Sequence, residues 1–379
     1  MEFALTEDQT ALQSAVRDLI AAAAGLDVVR AVSDDPDGDG DPPGLWARTA
    51  EQGWPAILVP EEHDGLGLGL LDAAVVVRCL GAGVVPSPLL PTLLGVEALV
   101  RAGSPEQRKA WLPRVAAGEV RLSVALPGAT SGAGVSVTAA DSPDGTTLLT
   151  GTALQVEYAH LAERLVVAAT DPGGTGAGLW LVDPAAPGVT VTRTPVLDGT
   201  ARPATVALDG AAGERLAGAD GATVADLADR GAVLTANDLV GIAREALTRT
   251  LDYVKTREQF GRPVGAFQAL KHHLADLAVE ITMAEHAAWY AAHALDEDLP
   301  DAALAVSVAK AAASDAAREA TEKMIQYHGG IGYTWEHDAH LYFKRAKREE
   351  YAYGDATAHR ERIATLVVDG QVDGVADAR

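Results

Sequence analysis

Arg257 to Leu277 read REQFGRPVGAFQALKHHLADL. A glycine and a proline two residues apart, in Gly261-Arg262-Pro263, interrupt an otherwise continuous helical period. Upstream, the apolar spacing predicts one long helix over Leu227 to Thr256. Downstream it predicts a second over Ala266 to Leu295 and an alanine-rich third over Ala302 to Ile325. A last helical region follows His328-Gly329-Gly330 and ends near Val368.

Working back from that helical part, the composition changes. Between Arg121 and about Leu208, short runs rich in Val, Thr and Leu, such as VSVTAA, TTLLTG, LVVAAT, LWLVDP and VTVTRTPV, are separated by turn residues. Strands of this length and spacing predict an antiparallel β domain, with Asp144-Gly145 as a hairpin signal. The first 120 or so residues return to helical spacing. Thr6 ahead of Glu7 and Asp8 reads as an N-cap, and Ser104-Pro105-Glu106-Gln107 as a helix start with proline in the first turn. The expected fold class is therefore α+β multidomain: an N-terminal helical domain (1–120), a central antiparallel β domain (121–222) and a C-terminal helical bundle (223–379).

The chain has 379 residues and a net charge of −23. That charge argues against nucleic acid, whose binding depends on clustered Lys and Arg, and any phosphate site must be a local pocket of donors. No apolar run reaches membrane-spanning length, and the acidic start MEFALTEDQ lacks a signal-peptide pattern, so the expectation is a cytoplasmic protein without a membrane segment. The single cysteine, Cys79, lies in the apolar run AAVVVRCLG and is expected in the core. His337 and His340 share a helical face, but no further ligand set accompanies them, so no metal is expected.

With FALTEDQ at the start, GWPAILVPEEHDGLGLG over Gly53 to Gly69, the stretch quoted above and QYHGGIGYTWEHDAHLYFKRAK over Gln326 to Lys347, the chain resembles the acyl-CoA dehydrogenase family along nearly its whole length. The resemblance implies a C-terminal four-helix bundle, an FAD cofactor, an acyl-CoA substrate, a carboxylate that removes the proton α to the thioester, and electron-transferring flavoprotein as acceptor. It also implies that Arg257, Phe260, Gln326 and Gly330, with Gln259, Gln268 and Gly329 beside them, contact the flavin nucleotide of a neighbouring subunit. A guanidinium suits a pyrophosphate, and a glycine pair at a helix end permits close backbone approach.

Other parts of the family pattern are degraded. The segment LPGATSGAG (Leu126 to Gly134) replaces a Thr-Glu-Pro/Ala-Gly-Ser-Asp pattern, leaving Thr130 and Ser131, and LQVEYAH (Leu154 to His160) replaces a Trp-Ile-Thr pattern. Where the family carries its glutamate base, counting from Arg345 places Tyr353. Asp355, Asp229 and Glu157, with Glu245, are the remaining candidate bases. What the chain would lend to a neighbour is intact, and what it would need itself is worn. That asymmetry resembles the base-lacking subunit of actinobacterial α2β2 acyl-CoA dehydrogenases of sterol side-chain breakdown, with a steroid-like acyl-CoA as substrate. The alternatives are a self-sufficient homotetramer with a relocated base, and a flavin-free scaffold or acyl-CoA binder.

Overall fold

The computed structural model describes residues 4–127, 136–174 and 176–368. In chain order the helices are α1 (Glu7–Ala23), α2 (Leu26–Asp34), α3 (Leu45–Glu51), α4 (Leu70–Ala82), α5 (Leu89–Ala102) and α6 (Pro105–Ala116). Then come strands β1 (Leu122–Ala125), β2 (Val137–Asp141), β3 (Thr147–Glu157), β4 (Arg164–Thr170), β5 (Ala177–Val182), β6 (Val189–Arg193) and β7 (Pro203–Arg215). Helix α7 (Gly221–Thr256) leads into a small hairpin, β8 (Glu258–Gln259) with β9 (Arg262–Pro263), followed by α8 (Gln268–Asp296), α9 (Ala302–His328), α10 (Ala339–Glu349) and α11 (Ala356–Val368). The expected order of helices, sheet and helices is present. No helix among the described residues is long and apolar enough to cross a membrane.

Local chemistry accounts for the helix starts. Thr6 Oγ1 accepts the Gln9 N–H while Gln9 Oε1 accepts the Thr6 N–H, and Ser104 and Gln107 make the same reciprocal pair behind Pro105. Two compact units form, one from Met1–Arg30, Ala74–Val85 and Ala232–Arg379, the other from Ala31–Ala73 and Pro86–Gly231.

In the second unit, the seven large strands pair in the order β1-β4-β2-β3-β7-β5, with β6 on β7 and β5 also on β4. The pairings β4-β2-β3-β7-β5-β4 thus close on themselves. Most are antiparallel as expected, but β1 and β2 both run parallel to β4. That strand reads as a continuous apolar run, LVVAA, buried on both faces, as a strand with parallel neighbours does. Leu149, Val156, Leu165, Val167, Trp180 and Val206 form the centre of its core. Arg202 donates to the carbonyls of Val32, Asp35, Gly38, Gly199 and Ala201, so one guanidinium organises the Asp-rich loop that carries no period of its own.

In the first unit, α4 and α7 meet backbone to backbone. A Cβ at Gly81 would lie 2.2 Å from the Asp238 carbonyl oxygen, and one at Gly241 would lie 2.1 Å from that of Arg78. Only glycine permits that approach. Beside it, the buried Arg345 of α10 donates through Nε and Nη2 to the two oxygens of Asp238 at 2.9 and 2.7 Å, and through Nη1 to the Val85 carbonyl at 2.8 Å. Burial disfavours the guanidinium charge, and the Asp238 carboxylate outweighs it, leaving the arginine pKa raised.

Among the described residues, no carboxylate pairs with Lys310, which is fully buried on α9. Its Nζ donates to Ser314 Oγ at 3.2 Å and to the carbonyls of Glu350 and Gly354, both at 3.0 Å. Burial pushes its pKa down to about 8, against the attraction of Glu349, Glu350 and Asp355.

Two outcomes are expected. Asp238→Ala leaves the Arg345 charge buried and unpaired and lowers unfolding free energy by about 3–5 kcal/mol in urea titrations. For Lys310, the folded pKa lies below the unfolded value, so the unfolded chain binds more protons between roughly pH 8 and 10.5 and stability rises across that window. Relative to Lys310→Met, the natural chain gains up to about 3 kcal/mol there, the free-energy equivalent of the difference in pKa. Parallel pH profiles of the two proteins would contradict this.

Candidate functional site

The hairpin between α7 and α8 is short and exposed. Its two-residue strands pair Glu258 with Pro263 and Gln259 with Arg262. The turn residues Phe260 and Gly261 both have positive φ, 55° and 75°, the pattern of a type I′ turn. Glycine suits that conformation; phenylalanine is strained in it. Phe260 is also 92% exposed, with only an edge contact to Phe267 at 6.1 Å. Among the described residues, this chain's own packing does not account for a strained, solvent-facing aromatic there. Arg257, Gln259 and Gln268 are exposed around it. Among the described residues, the Arg257 guanidinium has no hydrogen-bond or ion-pair partner.

The second motif sits at the end of α9. Gln326, Gly329 and Gly330 are exposed there. Gly329 has φ 64° and ψ −141°, a region closed to side chains. Gly330 is different: its backbone is helical, and a Cβ there would meet nothing within 4 Å. This chain's own packing does not require a glycine at Gly330.

Ring contacts bring the two motifs together. Tyr253 on α7 stacks on His328 on α9 with centroids 4.3 Å apart, and His273 Nδ1 lies 2.9 Å from the Tyr327 hydroxyl. Arg257 begins one turn beyond Tyr253, and Gly329 follows His328 directly, so the pins hold both motifs within the first unit. Burial lowers the His328 pKa, and its ring hydrogen bond to the Met324 carbonyl works the other way. His337 packs on His328 at 4.3 Å and accepts the Ala339 N–H, and His340 meets Trp335 edge-on. Among the described residues no group of three or more His, Cys, Asp and Glu is placed to hold a metal ion. Tyr333 and Trp335 are 88% and 70% exposed, extending the aromatic surface beyond α9.

The loop between α10 and α11 is where sequence counting seeks a base. Tyr353 is half-buried, with φ 56°, and Gly354 follows at φ 98°. The loop is held from inside: Lys310 takes the Glu350 and Gly354 carbonyls, and His359 Nε2 donates to the Tyr353 carbonyl at 2.9 Å. Asp355 Oδ1 accepts the Ala358 N–H at 2.8 Å, which makes this candidate base the N-cap of α11. The clamp residues Lys310 and His359 were not anticipated. Their signal was faint: Lys310 is a lone long cation in the run AVSVAKAAAS.

Glu245 pairs with Arg249 in the first unit, and the other sequence candidates lie in the second. Asp229 is half-buried on α7, next to Arg230, whose buried guanidinium pairs with Asp226 and Glu97. Glu157, also half-buried, ends β3 opposite Pro203, and its carbonyl accepts from Ser123 Oγ. Both residues already have interactions within the chain. Val156 is core, and Tyr158 donates its hydroxyl to the Gly40 carbonyl, so the residues standing near the family's Trp-Ile-Thr position serve packing. Thr130 and Ser131 lie outside the described residues.

Comparison with known proteins bears on this geometry. Residues 6–119 match the acyl-CoA dehydrogenase N-terminal domain and residues 221–367 the acyl-CoA dehydrogenase C-terminal domain. The chain is 37% identical over 341 residues to acyl-CoA dehydrogenase IpdE2 of Mycobacterium tuberculosis, covering 90% of this chain and 91% of that one. It is 33% identical to IpdE2 of Mycolicibacterium smegmatis, covering 96% and 100%. Among solved structures it is similar to a variant of the Tcur3481-Tcur3483 steroid ACAD, with TM-score 0.87, 33% identity and coverage of 96% and 99%. The ChsE4-ChsE5 complex from Mycobacterium tuberculosis superimposes with TM-score 0.89 at 29% identity, covering 97% and 99%. With both domain profiles in order and relatives matched over almost their full length, the chain belongs to the acyl-CoA dehydrogenase family of flavoprotein oxidoreductases.

Proposed function

We propose that this chain is a subunit of an FAD-dependent acyl-CoA dehydrogenase, and that it lends flavin-nucleotide contacts to a related partner subunit carrying the catalytic base. The observation that carries the reading is the contrast between its two ends of chemistry. Arg257, unpartnered, and Phe260, strained and exposed, stand ready for something outside the chain. The loop at Tyr353, by contrast, is tied down and offers no spare carboxylate.

The residues present fit the cofactor. The Arg257 guanidinium suits a pyrophosphate, Phe260 an apolar ring edge, and the glycine pair at Gly329-Gly330 leaves room for a dinucleotide against the backbone. Gln259, Gln268 and Gln326 add amide donors and acceptors. When bound, the flavin supplies hydride acceptance from the β carbon of the acyl thioester. This chain's residues hold its nucleotide end, exclude water there and present no base of their own. Tyr353 places a phenol, not a carboxylate, at the position where the resemblance expects the base.

Two of the similar structures are named as pairs of chains, one of them a steroid ACAD. That supports a heteromeric assembly and a bulky, steroid-like acyl-CoA as the substrate of the complex. Electron-transferring flavoprotein is the corresponding electron acceptor.

Co-expression with the gene of a related subunit should yield a yellow complex with fewer flavins than chains, whereas this chain alone should yield colourless protein. Yellow, active homotetramers of the lone chain would overturn the division of labour. In the complex, Arg257→Ala should weaken flavin retention about ten- to hundredfold, the worth of a charge-assisted bond, without dissociating the subunits. Phe260→Gly makes a sharper test. It relieves the turn's strain, so thermal stability should hold or rise by up to about 1 kcal/mol while flavin retention falls. Stability and flavin retention moving together would assign Phe260 to folding alone.

A further inference from the structure

The first unit contains a second concave site that neither the flavin contacts nor the base loop uses. It is a cavity of about 520 Å³ among α1, α4, α7, α8 and α10, a size typical of small-molecule sites. Four guanidinium groups line it, those of Arg17, Arg78, Arg244 and Arg249, against two carboxylates, Glu245 and Glu285. In a chain with net charge −23, an excess of two positive charges in one cavity is unexpected.

The pairing shows where the excess lies. Arg78 and Arg244 share Glu285, each taking one oxygen at 2.5 Å. Arg249 takes Glu245 at 2.7 Å. Asp338, the other carboxylate acting on Arg249, is already paired with Arg30. Arg17 has no carboxylate partner among the described residues; its side-chain contact is the Cys79 thiol. The cationic wall is also rigid. Arg78 lies over the Trp289 ring at 4.3 Å and donates to Asn237 Oδ1 at 3.2 Å. Yet its Nε, in a side chain 9% exposed, has no hydrogen-bond partner. That nitrogen is closed off from the cavity, so Arg78 contributes through its charge and its fixed position.

We infer that this cavity binds a small organic anion through phosphate or carboxylate groups, with Arg17 and Arg244 as its principal contacts and Arg78 as the fixed cation behind them. Guanidinium forks match both oxyanions in paired geometry, and the apolar positions Ile20 and Val240 accommodate a carbon body. The site is independent of the proposed flavin contacts, since none of its residues belongs to that set.

Isothermal titration of the full-length protein, alone and in complex with its partner subunit, tests this. The probes are pyrophosphate, ADP and succinate at low ionic strength, with potassium chloride as the matched control, because screening weakens exposed charge contacts. The expected result is saturable binding of at least one probe in both preparations. Affinity should fall at least tenfold in Arg17→Ala and in Arg244→Ala and be partly restored in Arg17→Lys. A preference for pyrophosphate and ADP over succinate identifies a phosphate ligand, and the reverse a carboxylate. Arg17 is exposed and Arg244 is 41% exposed, so neither substitution disturbs the core, and melting curves verify that. The Arg257→Ala variant should bind the probe unchanged, which separates this site from nucleotide contacts at the α7–α8 hairpin. Heat no greater than with chloride, unchanged affinity in both alanine variants, or loss of binding in Arg257→Ala would each overturn the inference.

Discussion

The buried pair of Arg345 and Asp238 is the constraint around which the first unit is arranged. It joins α10 to α7 and, through the Val85 carbonyl, to the chain beyond α4. Charges at this depth are tolerated when they are paired and hydrogen-bonded, and here each of the three guanidinium nitrogens has an acceptor. With α10 fixed in that way, the loop after it has a fixed starting point. Lys310 and His359 then dictate its carbonyl positions, and Asp355 closes it onto α11. A loop so fully determined is a scaffold, and it displays Tyr353 at the position where the sequence resemblance looks for a base.

The same unit treats its other surface in the opposite way. At the α7–α8 hairpin and the end of α9, stacked rings secure the helix ends, while Arg257, Phe260, Gln326 and Gly330 beyond them are exposed. Backbone strain at Phe260 and an unforced glycine at Gly330 are costs that packing within one chain does not repay. They make sense where a second chain and its cofactor complete the contacts. The division between a satisfied loop and an unsatisfied surface is the structural content of the proposed subunit role.

Much of this was legible beforehand. The capping boxes at Thr6 and Ser104, the hairpin at Asp144-Gly145 and the extents of α8 and α9 to within a few residues follow from local rules, because a cap or a turn is decided by residues three or four apart. The motif at Arg257 was readable as a helix break, but the spacing did not reveal that the break is a two-stranded hairpin with phenylalanine in a left-handed turn. Parallel pairing of β1 and β2 on β4 was likewise hidden, since a continuous apolar run specifies burial on two faces and not the direction of the neighbours.

By itself the sequence determined the order of helical and sheet segments, the family, and the absence of glutamate from its customary place, all of which depend on residue identity and short-range spacing. Only the tertiary structure decided what each charged group is for. Asp355 became a cap, Arg202 a clamp on five carbonyls, and Lys310 a buried tie 44 residues from the Gly354 carbonyl it holds. The physical reason is that a charge's role depends on its burial and on which partners the fold brings within hydrogen-bond reach. Both are properties of contacts between residues far apart in the chain.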